Sequence, residues 1–249
     1  MRSAPAGPAL AELALLEGRR LATHPAFLAG LAVAVGGCAA FLARDTSGRA
    51  GWEASGWTVY AGFALMAAFT MIATNVVTLR DRRADTVEQH EALPVPVSIR
   101  VAAVLTAILA PTLIAALGLA TVTTYAASRV DLDTVDLLVL CSLPLLMTTL
   151  AALGVALARW LPSPLAAPAL ALAFYFWTPG EQPSAWQTLM PLNAPDNVES
   201  AAMRLPYLLG LTLILAGAAL AQPRRSRTSV LLAAVGAVLV TTSAVVILT

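Results

Sequence analysis

Residues 135–158 read VDLLVLCSLPLLMTTLAALGVALA, twenty-four positions whose one charge, Asp136, stands at the very end of the run. At 1.5 Å per helical residue the stretch is about 36 Å long, enough to cross roughly 30 Å of hydrocarbon. A single strand at that depth would leave its backbone groups unpaired in lipid, so the run has to be a helix. The same reading applies to 26–43, 57–79, 101–127, 160–178, 205–221 and 229–249, none with an acid or an arginine in its middle. The fold class this predicts is an all-α integral membrane protein.

Composition agrees. Of 249 residues, 59% are hydrophobic and 12% charged, against about 45–50% and about 25% in soluble domains. The charges fall in short clusters between the runs, so residues 1–249 form a single transmembrane domain. Formal net charge is +1 and every basic residue is Arg, which leaves no basic face for nucleic acid. Cys38 and Cys141 lie inside apolar runs, and two cysteines with two distant histidines make no zinc site. Val35-Gly36-Gly37-Cys38 has the look of a lipidation box, but Glu12 and Glu17 upstream spoil a signal peptide.

Orientation follows from the arginines in the short loops. With a cytoplasmic N-terminus and seven crossings, the inside receives Arg2, Arg19, Arg20, Arg80, Arg82, Arg83, Arg100, Arg159, Arg224, Arg225 and Arg227. The outside receives Arg44, Arg49, Arg129 and Arg204, a ratio of eleven to four. The C-terminus then lies outside the cytoplasmic membrane. Pro111 and Pro144 should kink the third and fourth runs, and Pro162, Pro164 and Pro168 make the fifth the weakest span. Residues 179–204 are too polar to cross and apolar enough to dip back into the outer interface.

Two cytoplasmic segments stand apart. Residues 9–23 mix helix formers, acids and arginines beside leucines, as an interfacial helix does. Residues 80–100, RDRRADTVEQHEALPVPVSIR, carry dense charge and helix-forming composition until Pro94 and Pro96 stop the helix. Six residues could join two spans, so a loop this long and polar is expected to touch a partner.

Enzyme signatures are missing: the chain has no Walker phosphate loop, no Gly-x-Ser-x-Gly and no His-Glu-x-x-His. No catalytic, cofactor-binding or metal residue is therefore assigned. His24 and His90 map to cytoplasmic surfaces, and Asp131, Asp133 and Asp136 read as loop charges. Thr70, Thr74, Asn75 and Thr78 share one face of the second span. They either hydrogen-bond a neighbouring helix or line a polar passage, and the first is the commoner use of such residues.

Asp85-Thr86-Val87-Glu88, followed by Leu93-Pro94-Val95 and Pro96-Val97-Ser98, resembles the loop after the second span of type 2 ATP-binding-cassette (ABC) exporter permeases. Asp85 stands where that family usually has Gly. Glu17-Gly18-Arg19-Arg20, leading to His24-Pro25-Ala26-Phe27, is similar to the family's interfacial elbow helix. The resemblance implies a six-helix permease core, with a re-entrant segment before the last core span; 229–249 would add a seventh. It implies an ATP-driven exporter whose permease subunit pairs with a second permease subunit, homo- or heterodimeric, and with a cytosolic ABC ATPase. ATP and Mg would belong to that ATPase, with no cofactor in this chain. Asp85, Thr86, Glu88 and Glu91 would be the ATPase-coupling residues, and Glu17, Arg19 and Arg20 would belong to the elbow. Spans free of fixed charge suit an amphipathic or apolar cargo. The rival expectations are an ion-coupled secondary transporter and a non-transporting assembly or immunity protein.

Overall fold

A computed structural model describes residues 6–43, 48–83, 96–176, 197–222 and 226–248, all helix apart from short connections and caps. The helices are α1 (Ala6–Ala22), α2 (Pro25–Leu42), α3 (Gly48–Arg83), α4 (Val97–Ala107), α5 (Leu109–Ala127), α6 (Thr134–Trp160), α7 (Ala166–Phe176), α8 (Val198–Leu220) and α9 (Arg227–Leu248). Six stretches are long and apolar enough to cross a membrane: α2, Gly56–Arg80 of α3, α4 with α5, α6, α8 and α9. They coincide with six of the seven expected runs, and this is a multi-pass helical membrane protein.

Local chemistry sets the boundaries. His24 caps α2, its Nδ1 accepting from Ala26 N at 3.2 Å, and Pro25 occupies the first helical turn. Asp133 and Asp136 close a reciprocal capping box at the start of α6, with Asp136 N to Asp133 Oδ1 at 2.8 Å. Two of the three loop carboxylates are thus helix caps. Asn197 caps α8 by accepting from Ser200 N at 2.8 Å. Pro111 has no N–H to offer Ala107, and the third run breaks into α4 and α5 at Ile108 as expected. α6 runs on through Pro144.

The directions of the helices can be read from their contacts. α2 and α3 are antiparallel: a Cβ on Gly37 would meet Thr58 O at 2.6 Å, and one on Gly30 would meet Phe69 Cβ at 2.7 Å. α3 and α6 are parallel, since α3 ends beside α1, where Arg80 meets Glu17, and the second half of α6, Ala151 to Ala156, clusters with Val101 of α4 and Ile108 just after it, on which α1 packs. α6 and α8 are parallel too. Thr149 bonds Leu208 O and Thr212, and ten residues later Arg159 donates to Gln222 O at 2.6 Å. α8 and α9 form an antiparallel hairpin, with Gly210 on Gly236 and Gly217 on Ser229.

Parallel α6 and α8 have a topological consequence: Leu161, just after α6, and Asn197, just before α8, lie towards opposite faces of the bundle. The fifth expected run, 160–178, starts from the first of them. Its described helix, α7, has eleven residues, about 16 Å and too short to span alone. Arg19, Arg20, Arg80, Arg100, Arg159 and Arg227 consequently gather at one end of the bundle, the end to which α1 is docked. Arg129 and Arg204 lie towards the other, together with the Leu248 end of α9.

One boundary needs correcting. Arg204, counted above with the external loops, is inside a helix. α8 begins at Val198, so the last part of 179–204 is helical and Arg204 is nearly two turns in.

Candidate functional site

At the arginine-rich end, α1 packs along α4 and the start of α5, where a Cβ on Gly18 would touch Ala110 Cβ at 3.4 Å. Leu21, Gly18 and Glu17 form its inward face. Leu15 and Leu16, 75% and 55% exposed, point outward with Arg19 and Arg20. Apolar side chains on the free face of a helix level with the start of a membrane span are what an interfacial helix presents. Thr23 Oγ1 closes the end of α1 by donating to Arg19 O at 2.9 Å, and only Thr23 and His24 separate α1 from α2.

Glu17 is the one residue of the expected elbow set that is buried, at 6% exposure. Its Oε1 accepts from Arg20 at 2.7 Å and from Arg80 at 2.9 Å. The first partner is one turn along α1; the second stands near the end of α3, just before the 84–95 segment. Glu17 Oε2 is also buried and has no hydrogen-bond donor among the described residues, so both arginines converge on the one oxygen, Oε1. Arg20 and Arg80 remain 52% and 41% exposed at their side chains. Asp85, Thr86, Glu88 and Glu91 lie outside the described residues.

The polar face of α3 is brought together deep in the bundle. Thr70, Thr74 and Asn75 are completely buried and Thr78 half-buried. Thr70 and Thr78 bond back to Met66 O and Thr74 O, which satisfies their hydroxyls within α3. Thr74 donates both to Met71 O and across to Ala151 O at 2.9 Å. With the Asn75 amide assigned so that both ends are satisfied, Nδ2 donates to Ser163 O at 3.3 Å and Oδ1 accepts from Ala158 N at 3.2 Å. The face therefore bridges α3 to α6 and to the corner leading into α7. Gly154 makes this possible: a Cβ there would collide with Thr74 Oγ1 and Met71 O.

Three further residues were not singled out from the sequence. Arg204 is 5% exposed, and its guanidinium donates to Tyr60 Oη of α3 at 3.1 Å. Trp160 Nε1 donates to Ala218 O at 2.9 Å while its ring is largely exposed, as indoles are at a membrane–water boundary. Arg159, beside it, donates to Gln222 O just past the end of α8, where the helix dipole favours a cation.

Comparison with protein-family models, curated proteins and solved structures finds nothing that matches this chain.

Proposed function

We propose that the chain is the membrane-spanning permease subunit of an ATP-driven ABC exporter, moving an amphipathic or apolar cargo. The observation that carries this reading is the union of α1 with the end of α3 at the root of the 80–100 loop. That loop bears the type 2 exporter resemblance in Asp85, Thr86, Glu88 and Glu91. An exporter needs the segment that meets its ATPase to be mechanically joined to its spans, and the Glu17–Arg80 contact supplies such a joint. The arginine asymmetry puts this end in the cytoplasm, where an ATPase would be met. ATP and Mg chemistry belongs to that partner, and a second permease subunit completes the transporter.

The test is purification of the tagged chain from its native membrane. An ATPase should copurify, and Glu88→Arg should release it by about 2–5 kcal/mol of lost docking while membrane insertion is unchanged. A second reading, an ion-coupled carrier, draws support from Arg204, since a buried ionisable group in a span is commonly functional. Cargo movement that persists without ATP and collapses with a proton or sodium gradient would sink the exporter reading and promote the carrier.

A further inference from the structure

We infer that Glu17 is a positioning residue that makes α1, α2 and the last turns of α3 one mechanical unit. The consequence drawn for transport rests on the exporter reading; the mechanical claim itself does not.

The geometry is specific. Glu17 places one buried oxygen between an arginine of its own helix and an arginine of α3, sixty-three residues away in sequence. A carboxylate 6% exposed is stabilised as an anion only if its charge is matched, and Arg20 alone, half in solvent, matches it incompletely. Arg80 provides the second charge, so α1 keeps its inward face at minimum cost only while α3 stays in place. Gly18, the next residue, lies against Ala107 and Ala110 and fixes the third side of the contact. The two-residue link from α1 to α2, one of them the α2 cap, leaves little freedom to absorb a displacement. A pull on the loop beyond Arg83 would therefore reach α1 and α2 through Glu17 as well as α3 through its own backbone. Loss of Glu17 would remove the ionic tie between α1 and α3 and leave α1 held chiefly by its packing on α4 and α5.

Hydrogen exchange on the full-length protein, purified with whatever subunits accompany it, tests this. In Glu17→Gln, amides of 17–22 and 76–80 should exchange about fivefold faster, the scale of one partly exposed ion pair, while α8 and α9 stay unchanged. Arg80→Gln should do the same in part, Arg80→Lys should retain protection, and the double substitution should exchange no faster than Glu17→Gln alone. Should Glu17→Gln not fold, the Arg80 pair of variants gives the readout, because that side chain is well exposed. Unchanged exchange, or effects that simply add, would overturn the proposal. In reconstituted vesicles, cargo moved per ATP should fall in Glu17→Gln with the ATPase still bound. Faster exchange in a chain that has no ATPase leaves the mechanical unit standing and removes the exporter reading. Unchanged exchange in a chain with a bound ATPase does the reverse.

Discussion

α6 and α9 are both apolar helices of membrane length, yet they are held by different means. Of the apolar stretch of α6, 61% is buried against other helices; of α9, 11%. α6 meets α3, α4, α5, α7 and α8, and its contacts are threaded with hydrogen bonds from Thr74, Asn75, Thr112 and Thr212. α9 packs principally on α8, through glycines and small side chains, and shows Val230, Leu231, Val235, Val238 and Val245 to the outside. Lipid tails are as apolar as Leu, so burial of apolar area cannot hold either helix in a membrane. What differs is close packing on several sides plus polar bridging for α6, against close packing on one side for α9. Hydropathy alone ranks α9, at 2.5, above α6, at 2.2; the more hydrophobic helix is the less integrated one.

The largest effect expected from breaking this contrast comes from Gly154→Leu. The new side chain would have to displace Thr74 Oγ1 and the Met71 carbonyl together, and backbone cannot step aside as a side-chain tip can. With α6 in contact with five helices, we expect a loss above about 3 kcal/mol, read as the disappearance of a monodisperse species in detergent. A protein that elutes and melts like the parent would show that α3 and α6 are not in this contact.

Gly236→Leu is the matching change on α9 and should cost less. A Cβ there meets Gly210 O at 2.5 Å and Ile214 N and Cγ1 both at 2.9 Å, but α9 is packed principally on α8 and can lean outward as a whole. We expect about 1–2 kcal/mol, with faster hydrogen exchange confined to α8 and α9 and an unchanged core transition. A collapse as complete as that of Gly154→Leu would erase the distinction between the two helices.

The polar bridge itself should weigh less than the packing around it. Thr74→Val keeps the shape and removes the hydrogen bond to Ala151 O, at about 0.6 kcal/mol on the scale of membrane helix pairs. Asn75→Leu loses the bonds to Ala158 and Ser163 and should cost about twice that. Both are read as small shifts of the melting transition. An effect above that of Gly236→Leu would mean that hydrogen bonding, and not close packing, secures α6.

How much of this could be read beforehand varied with the physics involved. The existence of α6 followed from twenty-four residues of apolar sequence, and the break before Pro111 from a missing N–H. The common face of Thr70, Thr74 and Asn75 followed from helical spacing, but nothing local says that it meets Gly154 and Ser163. The start of α8 was placed too late because Arg204 looked like a boundary. The Asn197–Ser200 cap, which starts α8 at Val198, is a local signal that the span reading did not use. Tyr60, which lies 144 positions away and receives Arg204, was beyond reach of any local pattern. The same holds for Glu17 and Arg80: two charges on two helices far apart in sequence become one contact only after the helices are assembled.

The smallest expected effect lies at the start of α2, a helix intermediate between the two compared, tightly packed on α3 and otherwise facing out. His24 Nδ1 accepts from Ala26 N at 3.2 Å, a bond that requires that nitrogen to be unprotonated. Partial burial holds the pKa of His24 below its ordinary value of 6.5, so the folded protein favours the neutral cap. A group whose folded pKa is depressed contributes stability that is present above the unfolded value and fades as pH falls through the folded one. Stability should therefore be level from about pH 8 to 6.5 and decline below, by a few tenths of a kcal/mol at most, because the ring is only partly buried. His24→Asn keeps a cap that does not titrate in this window, so its melting temperature should fall less between pH 7 and pH 5, by about the lost cap energy. Parallel pH profiles for the two proteins would show that His24 does not hold α2 in this way, and the start of α2 would then depend on Pro25 and its packing against α3 alone.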